Sequence, residues 1–257
     1  MKKRKAQITV FIIVGVIIIA SVSGAVYIGK AKIESDLSEK YFSQEGIKPQ
    51  LNNIQESILN CIDITTEDSL IIIGIQGGYY NEPSEFFDLG WAFIPYYYNQ
   101  GAFLMPSKEK ISTELRDYVN ENLKYCIDEI NIGDFTLDYN TPKTSVNIKD
   151  ASVLFKIDSS ITIEREGNKI KFETKKHPIE QASKLSEIIE IASYITDSHK
   201  EDPDMICINC VAEMARERDV YVDMLDFDET TTQIIISENK SSEEPYIFEF
   251  LNKYTVE

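Results

Sequence analysis

Residues 8–29 are 22 consecutive positions without a charge, rich in Ile and Val, with nothing more polar than Thr9, Ser21 and Ser23. At about 1.5 Å per residue, a helix of that length covers about 33 Å, enough for a hydrocarbon core of about 30 Å. A core helix of a globular domain keeps a polar face, which this stretch lacks. The pattern predicts a single transmembrane helix over 8–29, preceded by a short leader over 1–7. Residues 30–48 then turn polar and charged and read as a stalk or linker. Beyond them, Leu51, Ile54, Ile58, Cys61 and Ile62 recur at helical spacing. A second helix is opened by Pro106-Ser107 and carries an apolar stripe at Ile111, Leu115, Tyr118, Val119, Leu123, Cys126 and Ile127. On this reading both helices end at a cysteine.

Near residue 143 the period falls to two. Val146/Ile148, Val153/Phe155/Ile157, and Ile161/Ile163 against Ile170/Phe172 read as strands, with Glu166-Gly167-Asn168 as a hairpin turn. A third helix is expected from Pro178, burying Ala182, Leu185, Ile188, Ile189, Ala192 and Ile195, and a fourth over 207–218. The C-terminus reads as an antiparallel meander over 220–225, 233–236 and 246–251. The fold class is therefore α+β: about four helices and antiparallel sheet, divided into a helical, aromatic-rich part (49–142) and an α+β part (143–257).

Charge gives this pattern a direction. The 43 acidic residues outnumber 26 basic ones, yet Lys2, Lys3, Arg4 and Lys5 all precede the apolar stretch, leaving 22 basic against 43 acidic residues behind it. Basic residues flanking a membrane helix stay on the cytoplasmic side. The expected protein is thus a single-pass cell-membrane protein with a cytoplasmic N-terminus and an acidic extracytoplasmic domain. Phosphate binding needs a basic face, so nucleic acid is not an expected partner. The membrane is the first partner. Self-association through the membrane helix is a second candidate, because Ala20/Gly24, Ser21/Ala25 and Ala25/Gly29 place small residues four apart.

Outside the cytoplasm, four cysteines read as two disulfides. Cys207 and Cys210 are close enough in sequence to pair locally, leaving Cys61 for Cys126. The Cys207-Ile208-Asn209-Cys210 segment has a second reading. A CxxC pair at a helix start lies at the positive end of the helix dipole, which favours a thiolate and so thiol–disulfide exchange. Against this stands the polar loop before it, where thioredoxin-like enzymes have a strand. No standard metal spacing involves His177 or His199, and Asp223, Asp226, Asp228 and Glu229 lack the alternation and Gly of a calcium loop. Neither a metal nor a cofactor is expected.

Ten of the 27 aromatic residues fall between Tyr79 and Phe103 in a segment rich in Gly and Pro. Such a loop has two readings: rings that fill space between the helices and sheet, or a surface for an envelope protein or glycan. The candidate binding residues are Trp91, Tyr96, Tyr97 and Tyr98. Asn239-Lys240-Ser241 is a glycosylation sequon.

The junction Lys5-Ala6-Gln7-Ile8-Thr9-Val10-Phe11 resembles the class III signal of archaeal type IV pilin-like proteins. The resemblance implies cleavage between Ala6 and Gln7 with the apolar helix retained. Where pilins carry a Glu five residues into the mature chain, this one has Phe11. A helix ending in Cys, Gln76-Gly77-Gly78-Tyr79, Ile94-Pro95-Tyr96-Tyr97 and a second Cys-ended helix also look like a group of membrane-anchored proteins from small-genome archaea. That similarity bears on architecture over roughly 5–130 and implies no activity. Three functions follow as expectations. The first is a membrane-anchored surface protein that binds or organises envelope components. The second is a minor pilin-like filament subunit, and the third a thiol–disulfide oxidoreductase using Cys207/Cys210.

Overall fold

The computed structural model describes residues 37–44, 46–200, 202, 205–238 and 245–254. The leader, the predicted membrane helix, the Ala6/Gln7 junction and the Asn239 sequon lie outside the described residues, as does part of the 30–48 linker. Among the described residues, no helix is long and apolar enough to cross a membrane.

In chain order, helix α1 (Lys48–Ile75) is followed by strands β1 (Phe86–Asp88), β2 (Phe93–Asn99) and β3 (Ala102–Phe103), then helix α2 (Lys108–Asp128). Six strands come next: β4 (Thr136–Tyr139), β5 (Lys143–Ile148), β6 (Ser152–Asp158), β7 (Ser160–Arg165), β8 (Asn168–Glu173) and β9 (Ile179–Ala182). Helices α3 (Leu185–Ser198) and α4 (Ile208–Arg218) precede the closing strands β10 (Tyr221–Asp228), β11 (Thr231–Glu238) and β12 (Tyr246–Lys253). The fold is α+β, with one mixed and two antiparallel sheets.

The chain forms two compact units that interleave along the sequence. The smaller takes residues up to Gln55 together with Asn131–Tyr139 and Ile161–Phe172. In it β4, β7 and β8 form a three-stranded sheet. The β7–β8 turn places both Glu166 (φ 50°) and Gly167 (φ 79°) in the left-handed region, as a two-residue hairpin of right-twisted strands requires. Phe42 stacks on Phe135 at 6.4 Å, and the Arg165 guanidinium lies 5.1 Å over the Phe135 ring.

The larger unit holds Glu56–Ile130, Asn140–Ser160 and Glu173–Glu257. Its main sheet runs β1-β2-β12-β11-β10, with β3 also pairing β2, and β5-β6-β9 make a second sheet. The meander β10–β11–β12 is antiparallel throughout, as expected, while β12 and β2 pair in parallel. Tyr97, Ile234, Ile236, Phe248 and Phe250 are fully buried along this sheet.

Two element boundaries differ from expectation. Helix α1 does not stop at Cys61, because Leu70 and Ile73 continue its buried face to Ile75. The chain then turns at Gly77 (φ 51°) and Gly78 (φ 85°), where a Cβ would run into Pro95, the Glu249 carbonyl and Ile111. Helix α3 starts at Leu185 instead of near Pro178, since Ile179–Ala182 pairs with β6 as strand β9. Its N-terminus is held by a carboxylate from another strand: Glu238 accepts from the Lys184 N–H at 3.1 Å and from Ser183 Oγ at 3.3 Å. A distant carboxylate at a helix start leaves no local sequence signature.

Helices α1 and α2 run in opposite directions, clamped at two places. At one, Cys61 and Cys126 are disulfide-bonded with Cα atoms 5.6 Å apart. Closing a loop of sequence separation 65 stabilises the fold by about 4 kcal/mol through lost unfolded-chain entropy. At the other, buried Glu114 reaches the turn after α1. Its Oε2 accepts from the backbone N–H groups of Tyr80 and Asn81, both at 2.9 Å, and from Asn81 Nδ2 at 3.2 Å, while Oε1 pairs with Lys110. Burial pushes this carboxyl's pKa up, but the Lys110, Asn81 and Tyr80 hydrogen bonds together outweigh it and leave the group below the ordinary carboxylate range.

Because the folded pKa is depressed, the stabilisation is fully present above about pH 4.5 and is lost as pH falls through the lower folded value. Glu114→Ala, which strands three donors and Lys110, is expected to cost about 3 kcal/mol at pH 7. Chemical denaturation of wild type, Glu114→Ala and Glu114→Gln between pH 3 and 7 checks this. The gap between wild type and Gln should narrow as the solution is acidified.

Candidate functional site: a groove beside the second disulfide

The aromatic segment separates into core and surface once its strands are in place. Tyr97 lies fully buried in β2, stacked 4.2 Å from Phe250, and its hydroxyl donates to the Gly77 carbonyl at 2.8 Å. Burial drives its pKa well above that of a free phenol. Tyr98 is buried as well, packed between Phe103 and the His199 ring, with Asn252 Nδ2 3.1 Å from His199 Nε2. These two rings are structural, because alternate residues of a strand covered on both faces have no side left for a ligand. Tyr96 is half-buried. Trp91 stands apart, 77% exposed between β1 and β2, in a turn set by Gly90 at φ 83° and by the Gly90 N–H donating to Asp88 Oδ1 at 2.6 Å. Of the four aromatic candidates, Trp91 alone offers a full face to solvent.

A second surface arises where α4 meets β10. Val211, Ala212 and Ala215 on the helix, and Val220, Val222 and Met224 on the strand side, line an open groove of ≈ 620 Å³ together with Ile208, Tyr221 and the charged Arg216 and Asp219. Ile208 is 67% exposed and Tyr221 47%. The helix is fixed at both ends. Cys207 caps its start, with Sγ accepting the Cys210 N–H at 3.3 Å. At its other end Asp219 takes the left-handed conformation (φ 52°), and Lys184 Nζ donates to the carbonyls of Arg218 and Asp219 at 3.0 and 2.8 Å. A lysine there also opposes the negative end of the helix dipole. Arg218 pairs with Glu190 of α3 at 3.1 Å.

The expected Cys207–Cys210 disulfide is present at the head of α4, adjacent in sequence to Ile208 of the groove lining. Cys207 is exposed and Cys210 half-buried, in contrast to Cys61, which is 4% exposed. The short loop contributes only about 2 kcal/mol. On reduction, a Cys207 thiolate would face the unpaired N–H groups and positive dipole end of α4, which favour the anion. Asp228, one of the acidic turn residues, accepts at Oδ1 from the Thr230 N–H at 2.8 Å and ends β10 as a turn residue. Among the described residues, no group of three or more His, Cys, Asp and Glu is placed to hold a metal ion.

No family model, curated protein or solved structure matches the chain. The groove was missed in sequence because its two walls were read as separate elements. Their apolar positions were visible, but their juxtaposition was not.

Two outcomes are expected. Trp91→Ala should change unfolding free energy by less than about 0.5 kcal/mol, whereas Tyr97→Ala should cost about 3–5 kcal/mol, as read by urea denaturation. Titration with a mild thiol reductant, followed by alkylation and peptide mapping, should label Cys207 and Cys210 before Cys61 and Cys126, while the protein stays folded.

Proposed function

We propose that this is a single-pass membrane-anchored surface protein whose acidic outer domain binds other envelope components, with the α4–β10 groove as its contact site. The observation that carries the reading is the groove itself, open to solvent and lined by apolar side chains with Arg216 and Asp219 among them, on a chain of net acidic composition. A groove lined by apolar side chains with a few polar groups has the make-up of a binding site. The uncharged 8–29 stretch behind four basic residues supports the anchor and its orientation, and the two disulfides accord with an oxidising exterior. Trp91 is the auxiliary contact in this reading. Membership of a surface filament rests on the Ala6/Gln7 junction alone.

A second reading is favoured by the exposure of Cys207 at the start of α4: thiol–disulfide exchange with a client seated in the groove. A client thiolate would attack Cys207 Sγ and release Cys210 as a thiolate. The client's second thiolate would then resolve the mixed disulfide, leaving the client oxidised and the pair reduced by two electrons. The reductant is the client dithiol.

The leading reading is tested in native membranes. The chain should resist carbonate extraction, protease added to intact cells should remove the acidic domain, and a photo-crosslinking residue at Ile208 should capture an envelope component. Full protection from external protease would overturn the topology.

A further inference from the structure

We infer that Glu238 and Lys184 form a proton-controlled latch on α4: a proton on the Glu238 carboxylate leaves the Lys184 ammonium to the end of that helix and so firms one wall of the groove. It concerns how the groove is held, beyond what binds there. Three observations carry it.

The first is the path of contacts. Lys184 stands at the N-cap of α3, where a lysine has no side-chain acceptor to give the helix. Its backbone N–H donates to Glu238 Oε2 of β11 at 3.1 Å, and Ser183 Oγ donates to Oε1 at 3.3 Å. The lysine side chain runs the other way, away from the positive end of α3 and to the negative end of α4. There Nζ donates to the Arg218 and Asp219 carbonyls at 3.0 and 2.8 Å and pairs with Asp219 Oδ2 at 2.9 Å. One residue thus joins the end of β11, the start of α3 and the end of α4. Asp219 and Val220 line the groove, and their N–H groups close the helix on the Arg216 and Ala215 carbonyls at 3.3 and 3.0 Å.

The second is an excess of acceptors around Glu238. Glu187, in the first turn of α3, adds a like charge, and Tyr246 of β12 lies opposite Glu238 in the strand register and feels its charge. Glu187 Oε2 and the Tyr246 hydroxyl are buried, and neither has a hydrogen-bond partner among the described residues. Burial first, and then the Glu187 charge, hold the Glu238 carboxyl above the ordinary carboxylate range, against the Lys184 and Ser183 hydrogen bonds that pull it down.

The third is competition for one cation. The Lys184 charge favours ionised Glu238, so ionised Glu238 in turn draws the ammonium away from α4. With the proton bound, Asp219 is the anion that keeps it, while the Arg218–Glu190 pair ties α4 to α3 whatever the state of Glu238. Because the folded pKa is raised, the stabilisation from this proton is fully present below about pH 4.5 and is lost as pH rises through the higher folded value. The latch is firm in mild acid and slack above it.

The test uses the full chain in neutral-detergent micelles with its disulfides intact, over about pH 4 to 8. Carbon NMR of the Glu238 side-chain carboxyl follows the proton, and amide exchange, corrected for the intrinsic rate, follows the protection of Asp219 and Val220. Both should change at the same pH, with protection falling by about tenfold on the alkaline side. Glu238→Gln should keep the high protection throughout. Glu187→Gln, which removes the like charge, should move both transitions together to lower pH. Lys184→Gln retains the backbone N–H but lacks the ammonium, and should give low protection with no step. Titration of Glu238 with no step at Asp219 and Val220, or a step that survives Lys184→Gln, would overturn the latch. Should Lys184→Gln disturb the fold, Glu187→Gln decides: transitions that move apart sink the proposal. No ligand enters these measurements, so capture of an envelope component at Ile208 can fail with the latch intact, and the reverse.

Discussion

Glu114 is the point on which the larger unit depends. A carboxylate taken out of water is destabilising unless its charge and lone pairs are met, and here a lysine and three N–H donors meet them. The donors belong to the turn that follows α1, so satisfying the charge also fixes where the chain leaves that helix. From that turn Gly77 offers its carbonyl to Tyr97, and Tyr97 stacks on Phe250 of β12. One buried charge thereby connects α2, the end of α1 and the centre of the main sheet. The Cys61–Cys126 bond sets the same two helices against each other at a second level, some 18 Å along the α2 axis from Glu114 at about 1.5 Å per residue.

The second disulfide has a different physical character. It closes a minimal loop at the head of α4, leaves Cys207 exposed, and stands next to Ile208 of the groove lining. A bond across so short a loop adds little stability. The proposed binding and thiol-exchange readings share this geometry, because Ile208 and Cys207 are adjacent at the head of α4.

The periodic signals in the sequence were sound where packing is local. The stripe of α2 from Ile111 to Ile127, the β5–β8 alternation and the C-terminal meander all follow from side chains on one face sharing one environment. The cysteine pairing was legible too, since one pair is adjacent in sequence and leaves only one partner for each remaining cysteine. Segments governed by distant partners were less legible. Pro178 suggested a helix start, but β6 claims residues 179–182, and Glu238, more than fifty residues later, sets where α3 begins. The aromatic cluster at 79–103 has the same composition whether its rings are core or surface.

By itself, then, the sequence determined the α+β class, the two disulfides and the separation of a basic, uncharged-then-acidic order along the chain, because these depend on composition and short-range period. Only the tertiary structure decided that Tyr97 and Tyr98 are core while Trp91 is surface, and that α4 and β10 leave an open groove between them. Burial is a property of what packs against a residue, and a groove is a property of two elements brought together. Neither is written in the residue or in its immediate sequence.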